Sequence, residues 1–149
     1  MLNTSFTEAE VLVQDYPYPP SSCYPSRVVA ATDIIDVSPA YPVTMRLHCR
    51  DVLFISKEHD RAVRAYADRT GILLIPRYDP WEFVLEPFLD TQYTRQARLQ
   101  ATKLLDENGI SKAQCTQWRR RFKRAMLSYN FDSGLWDWCG LGATDLLDA

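Results

Sequence analysis

The sequence has 149 residues, 46% hydrophobic and 24% charged, with a formal net charge of −2. This excludes wholesale disorder and fits one soluble domain that buries about two thirds of its unfolded surface. The longest aliphatic runs, residues 52–55 and 72–75, fall far short of the ~20 apolar residues a membrane span needs, and the five glycines make no phosphate-cradling loop.

The first ten residues contain neither the basic cluster nor the apolar run of a secretory leader, so a cytoplasmic protein with reduced thiols is expected. Cys23, Cys49, Cys115 and Cys139 form no C-x-x-C pair and have no histidine at ligand spacing, so no metal and no cofactor is predicted. Residues 1–26 read as a Pro/Tyr-rich N-terminal arm. Within it, residues 16–25 hold four prolines and three tyrosines, which favours an extended stretch packed down by its rings.

Residues 27–36 read as a strand. Val43, Met45 and Leu47 alternate with Thr44, Arg46 and His48, the period of a half-buried strand. Residues 49–51 then turn into a short apolar strand at 52–55, which predicts a hairpin. Ser56 is placed to cap a helix over residues 57–70, with Ala62, Val63, Tyr66 and Ala67 on its inner face and Gly71 as its stop. A buried strand at 72–75 follows at once. Strand, helix, strand in so few residues predicts a βαβ unit with two parallel strands.

From Asp79 the chain reads as helical. Asp79 caps, Pro80 opens the helix and Glu82 completes a capping box, with Trp81, Val84, Leu85 and Phe88 apolar on one face. Thr94 caps a second helix to Leu105 that turns its Ala97, Ala101, Leu104 and Leu105 inward. Residues 108–109 end it. Ser111 caps a third helix running from Lys112 to about Tyr129. The apolar stretch 135–147 is expected to pack back on the core. The predicted fold class is therefore α+β: a small mixed sheet with a βαβ unit over residues 27–76, packed against a helical C-terminal half. The chain reads as one domain with an arm (1–26), a sheet-forming part (27–78) and a helical part (79–149). Phe54, Tyr66, Trp81, Phe88, Trp118, Phe122 and Trp136 are expected to share one core.

Charge is segregated along the chain: residues 1–92 carry a net −5, residues 93–129 a net +7 and residues 130–149 a net −4. The basic block falls on the third helix. Its Cys115, Trp118, Phe122, Ala125, Met126 and Tyr129 recur at helical spacing as a core face. Lys112, Gln114, Gln117, Arg119, Arg120, Arg121 and Arg124 are left as candidate binding residues. The 13 arginines outnumber the 4 lysines, a balance suited to interface ion pairs. The leading expectation is a non-catalytic interaction or regulatory protein presenting this helix to an acidic protein surface.

Helix, glycine turn, helix over residues 97–129 is also the plan of a helix–turn–helix nucleic-acid binder. Gly109-Ile110-Ser111-Lys112-Ala113 resembles the turn of bacterial repressor recognition units, with glutamines and arginines suited to base edges and phosphates. The chain departs from that pattern at Leu105, where a small residue is usual, and at Asn108, where an apolar one is. Its pI of 5.7 is low for such a binder.

A third reading is a small-anion or nucleotide-binding enzyme. If the strands at 52–55 and 72–75 are parallel neighbours, Ser56, Lys57, His59 and Arg77 meet at their C-terminal ends as an anion pocket. No catalytic residue is predicted. Adjacent strand positions point His48 and Cys49 to opposite faces, and Glu58, His59, Glu82 and Glu86 read as solvated helix positions.

Overall fold

The computed structural model describes residues 3–89, 94–133 and 141–149. The fold is α+β with a helical C-terminal half, and the chain forms two compact units, Met1–Tyr78 and Asp79–Ala149.

The first unit holds two sheets. β1 (Asn3–Phe6), β2 (Glu10–Gln14) and β3 (Arg27–Ala30) form an antiparallel sheet in the order β1-β2-β3. Thus the segment read as an arm begins with two strands, and its proline–tyrosine stretch is the β2–β3 connection. Val11 and Val13 of β2 are fully buried, alternating with more exposed neighbours. Tyr16 is buried, and its hydroxyl accepts a 3.0 Å bond from the Phe54 N–H. Tyr18 stands edge-on to Tyr16 and to Phe54.

The second sheet holds β4 (Ile34–Ser38), β5 (Thr44–Leu47), β6 (Val52–Phe54) and β7 (Leu73–Leu74), in the order β6-β5-β4-β7. The single strand expected over residues 27–36 is broken by a 3-10 turn at Ala31–Asp33, which sends its halves to different sheets. The β5–β6 hairpin forms as expected, with Met45 opposite Leu53.

α1 (Asp60–Thr70) starts later than expected. A 3-10 turn at Lys57–His59 precedes it, and the Ser56 hydroxyl donates to Glu58 instead of capping a helix. Val63, Tyr66 and Ala67 are buried, while Ala62 is exposed. Gly71, at φ 72°, ends the helix: its N–H bonds Asp68 O and the Ile72 N–H bonds Ala67 O, the paired bonds of a Schellman stop.

The βαβ wiring needs a correction. β6 and β7 run in the same direction but occupy opposite edges of the sheet, with β5 and β4 between them. The crossover through α1 skips two strands. β7 pairs only with β4, so Leu73, Leu74 and Ile75 are exposed at an edge rather than buried.

In the second unit, α2 (Pro80–Leu85) is capped by Asp79, whose Oδ1 accepts the Trp81 N–H. The other carboxylate oxygen accepts the Ala143 N–H at 2.6 Å, so one aspartate caps both α2 and α5 (Ala143–Asp148). α3 (Arg95–Glu107) is capped by Thr94 and ends at Gly109 (φ 73°) with the same Schellman pair, Gly109 N–H to Asp106 O and Ile110 N–H to Leu105 O. α4 (Lys112–Ser133) is the longest helix.

Among the described residues, two clusters form this unit's core. Val84, Leu105 and Cys115 join α2, α3 and α4, with Trp81, Ile110 and Trp118 packed on them. Leu85, Met126 and Leu141 make the second, with Phe88, Phe122 and Leu146. The expected shared core is therefore not one cluster: Tyr66 belongs to the first unit's core, and Trp81, Phe88, Trp118 and Phe122 to those of the second. Trp136 lies outside the described residues.

Candidate interaction surface on the long basic helix

α4 begins with a reciprocal cap. The Ser111 hydroxyl accepts the Gln114 N–H at 3.3 Å, and the Gln114 side-chain oxygen accepts the Ser111 N–H at 2.9 Å. Gln114 is thus occupied in starting the helix, although its side chain is exposed. Arg119 is also structural. Its Nε and Nη2 donate to the carbonyls of Val84 and Phe83, at 2.7 and 2.8 Å, at the C-terminal end of α2. Those carbonyls have no partner within their own helix, and a guanidinium satisfies two at once. Two of the seven expected binding residues are therefore spent inside the unit.

The remaining five, Lys112, Gln117, Arg120, Arg121 and Arg124, are exposed, as is Lys123. The inward set follows the predicted stripe: Cys115 and Met126 are buried, and Trp118, Phe122, Ala125 and Tyr129 are half-buried. Sequence reasoning missed the apolar continuation of the outer face. Leu127 is 49% exposed and Phe131 79%. Their i, i+4 spacing, in line with Arg120 and Arg124 on the outer face, was the signal available.

The ion pairs of the second unit leave this helix out. Among the described residues, none of Lys112, Arg120, Arg121, Lys123 and Arg124 has an acidic partner within 4.0 Å. Arg121 lies over the neighbouring Phe122 ring, 5.7 Å from its centroid. The charge order also opposes the helix dipole, with Lys112 in the first turn and Asp132 in the last. Neither the helix dipole nor an ion pair among the described residues accounts for these cations.

The expected anion pocket does not assemble. Ser56, Lys57 and His59 follow β6 and Arg77 follows β7, and these strands are separated by three inter-strand spacings, about 14 Å. Arg77 is committed elsewhere. Its Nη1 donates to Asp36 Oδ1 at 2.5 Å, beside Arg46 on the other carboxylate oxygen. Asp36 is 1% exposed. Burial raises its pKa, but the two guanidinium groups outweigh that and hold it below the ordinary aspartate value. His59 lies edge-on to Phe6, with Nε2 3.8 Å from Glu58.

Among the described residues, no three His, Cys, Asp or Glu side chains are arranged to hold a metal, and no helix is long and apolar enough to cross a membrane. No family model, curated protein or solved structure matches the chain.

Proposed function

We propose that the protein is a non-catalytic interaction module that presents the exposed face of α4 to an acidic protein surface. One observation carries this reading: an Arg-rich face lies open along one helix with no internal counter-charge among the described residues. A set of exposed like charges costs self-repulsion in the free protein and regains it against a complementary surface. Gln117, Arg120, Arg121 and Arg124, with Lys112 and Lys123 at the edges, make up the contact set.

The alternative use of the same face is nucleic-acid binding. The four-residue turn 108–111 between α3 and α4 favours it, since it matches the spacing of helix–turn–helix units. Fluorescence anisotropy with mixed-sequence duplex and single-stranded DNA, from low to physiological salt, separates the two. It is paired with affinity capture on immobilised protein, and an Arg120→Glu/Arg121→Glu variant runs beside the wild type in both. The protein-partner reading expects negligible DNA binding at physiological salt and a captured acidic protein that the variant loses. DNA binding that weakens steeply with salt and disappears in the variant overturns it in favour of nucleic acid.

A further inference from the structure

The exposed side of α4 has an order of its own. Ala113, Gln117, Arg120, Arg124, Leu127 and Phe131 are all exposed, and their spacings are 4, 3, 4, 3 and 4. That is the alternation by which one helix meets another along a seam. The inner side of α4, through Cys115, Trp118, Phe122 and Met126 at spacings of 3, 4 and 4, packs against the other helices of its unit. α4 therefore has two seams, one filled by its own unit and one open. The open seam is basic in the middle and apolar at its C-terminal end.

We propose that this open seam docks one amphipathic helix of an acidic partner protein, with carboxylates opposite Arg120 and Arg124 and apolar side chains opposite Leu127 and Phe131. This rests on the acidic-partner reading above and adds the partner's shape. From Ala113 to Phe131 the seam is about 27 Å long, so the docked helix has roughly 18–20 residues. Charge selects this occupant over a second copy of the chain. Parallel self-pairing sets Arg120 on Arg120 and Arg124 on Arg124. Antiparallel pairing about the seam's centre sets Arg120 on Arg124 twice and Phe131 on Ala113. Either arrangement places like charges face to face, while a carboxylate-bearing helix relieves them. It selects against nucleic acid as well, because a phosphate backbone gives Leu127 and Phe131 nothing to bury against.

The test uses two labelled 21-residue helical peptides whose successive seam positions read Glu-Glu-Leu-Leu and Leu-Leu-Glu-Glu, covering both orientations. A matching pair has Lys in place of Glu. Binding to the full chain is read by anisotropy at physiological salt. Wild type is expected to bind a Glu peptide. Arg120→Glu/Arg124→Glu should lose that binding and take up the corresponding Lys peptide, a gain that only a folded variant shows. Leu127→Ser/Phe131→Ser should weaken the Glu peptide at least tenfold.

Failure to bind either Glu peptide overturns the proposal. Binding that needs the arginines but ignores the Leu127/Phe131 change overturns the helical seam and leaves the acidic-partner reading standing. Binding indifferent to the arginines overturns both. Two further results also overturn it: a Phe131-dependent dimer in sedimentation gives the seam to a second copy, and duplex DNA binding tighter than the peptides gives it to nucleic acid.

Discussion

Cys49 is the exposed thiol among the described cysteines, while Cys23 and Cys115 are buried. It lies 3.5 Å from the Ser22 hydroxyl, which takes a 2.7 Å bond from the Arg27 guanidinium. These contacts hold its pKa below the usual thiol value, the Ser22 contact foremost, whereas burial pushes Cys23 up. Access and thiolate character thus coincide at one residue. Iodoacetamide at neutral pH, read by peptide mass spectrometry, should modify Cys49 at least about tenfold faster than Cys23 or Cys115. Arg27→Ala should slow Cys49 and leave the other two unchanged. Equal rates at Cys49 and Cys23 defeat this account. Little of this is legible in the sequence, where Cys49 reads only as a reduced thiol outside any C-x-x-C pair. Its environment comes from Ser22 and Arg27, more than twenty residues away. Gln114 and Arg119 bond backbone of their own unit, which was illegible for a related reason. The sequence displays a polar side chain on a helix, but not the neighbouring backbone that claims it.

Helix ends were the most legible elements because their signals are local. Asp79, Thr94, Ser111, Gly71 and Gly109 all cap or stop helices as their residue types predict. Sheet wiring was the least legible. A strand–helix–strand pattern fixes direction but not how many strands the crossover skips, and that miss removed the anion pocket. β1 and β2 escaped notice because Asn3 and Ser5 are weak strand signals and Val11-Leu12-Val13 is a short continuous apolar run without polar alternation. Two glycines separate two kinds of constraint. At Gly109 the backbone is left-handed with open space around a Cβ, so Gly109→Ala should cost about 1 kcal/mol through conformation alone. At Gly142 the backbone is extended, but a Cβ meets the Asp79 carboxylate at 2.7 Å. Gly142→Ala must push aside the group that caps α2 and α5, at about 2 kcal/mol for a charge-assisted bond. Urea unfolding followed by tryptophan emission checks both. Gly142→Ala milder than Gly109→Ala contradicts the assigned role of Asp79.

At the scale of the whole chain, the two units hold their key carboxylates in opposite ways, so acid should act on them with opposite sign. In the first unit, Asp36 and Asp51 have lowered pKa values. Burial opposes this, but Arg46 and Arg77 prevail at Asp36, and the bonds from Ser22 and Ser21 prevail at Asp51. An acid with a lowered folded pKa stabilises above its unfolded value, near 3.9, and loses that stabilisation as pH falls toward its folded value. The first unit should therefore be indifferent to these groups from pH 7 to about 5 and weaken below about 4. In the second unit, Asp79 is 8% exposed, and burial raises its pKa despite the N–H bonds from Ala143 and Trp81. A raised acid binds its proton more tightly in the folded state, so stability grows as pH falls through the folded value, and the gain is complete below the unfolded one. The second unit should firm up as pH falls through the raised Asp79 value, with the gain complete below about pH 4, by at most ~1.4 kcal/mol per pH unit for one proton. The two responses can be read apart, because all four tryptophans lie at position 81 or beyond, while the methyl signals of Val11, Val13 and Val29 belong to the first unit. Urea midpoints at pH 7, 5 and 3.5 should be higher at pH 3.5 than at pH 7 for tryptophan emission, and hold and then fall for the valine methyls. Asp79→Asn should flatten the first trend, and Asp36→Asn should blunt the second. A single transition that weakens with acid for both probes, unchanged by Asp79→Asn, rules out this opposition and with it the burial cost assigned to Asp79.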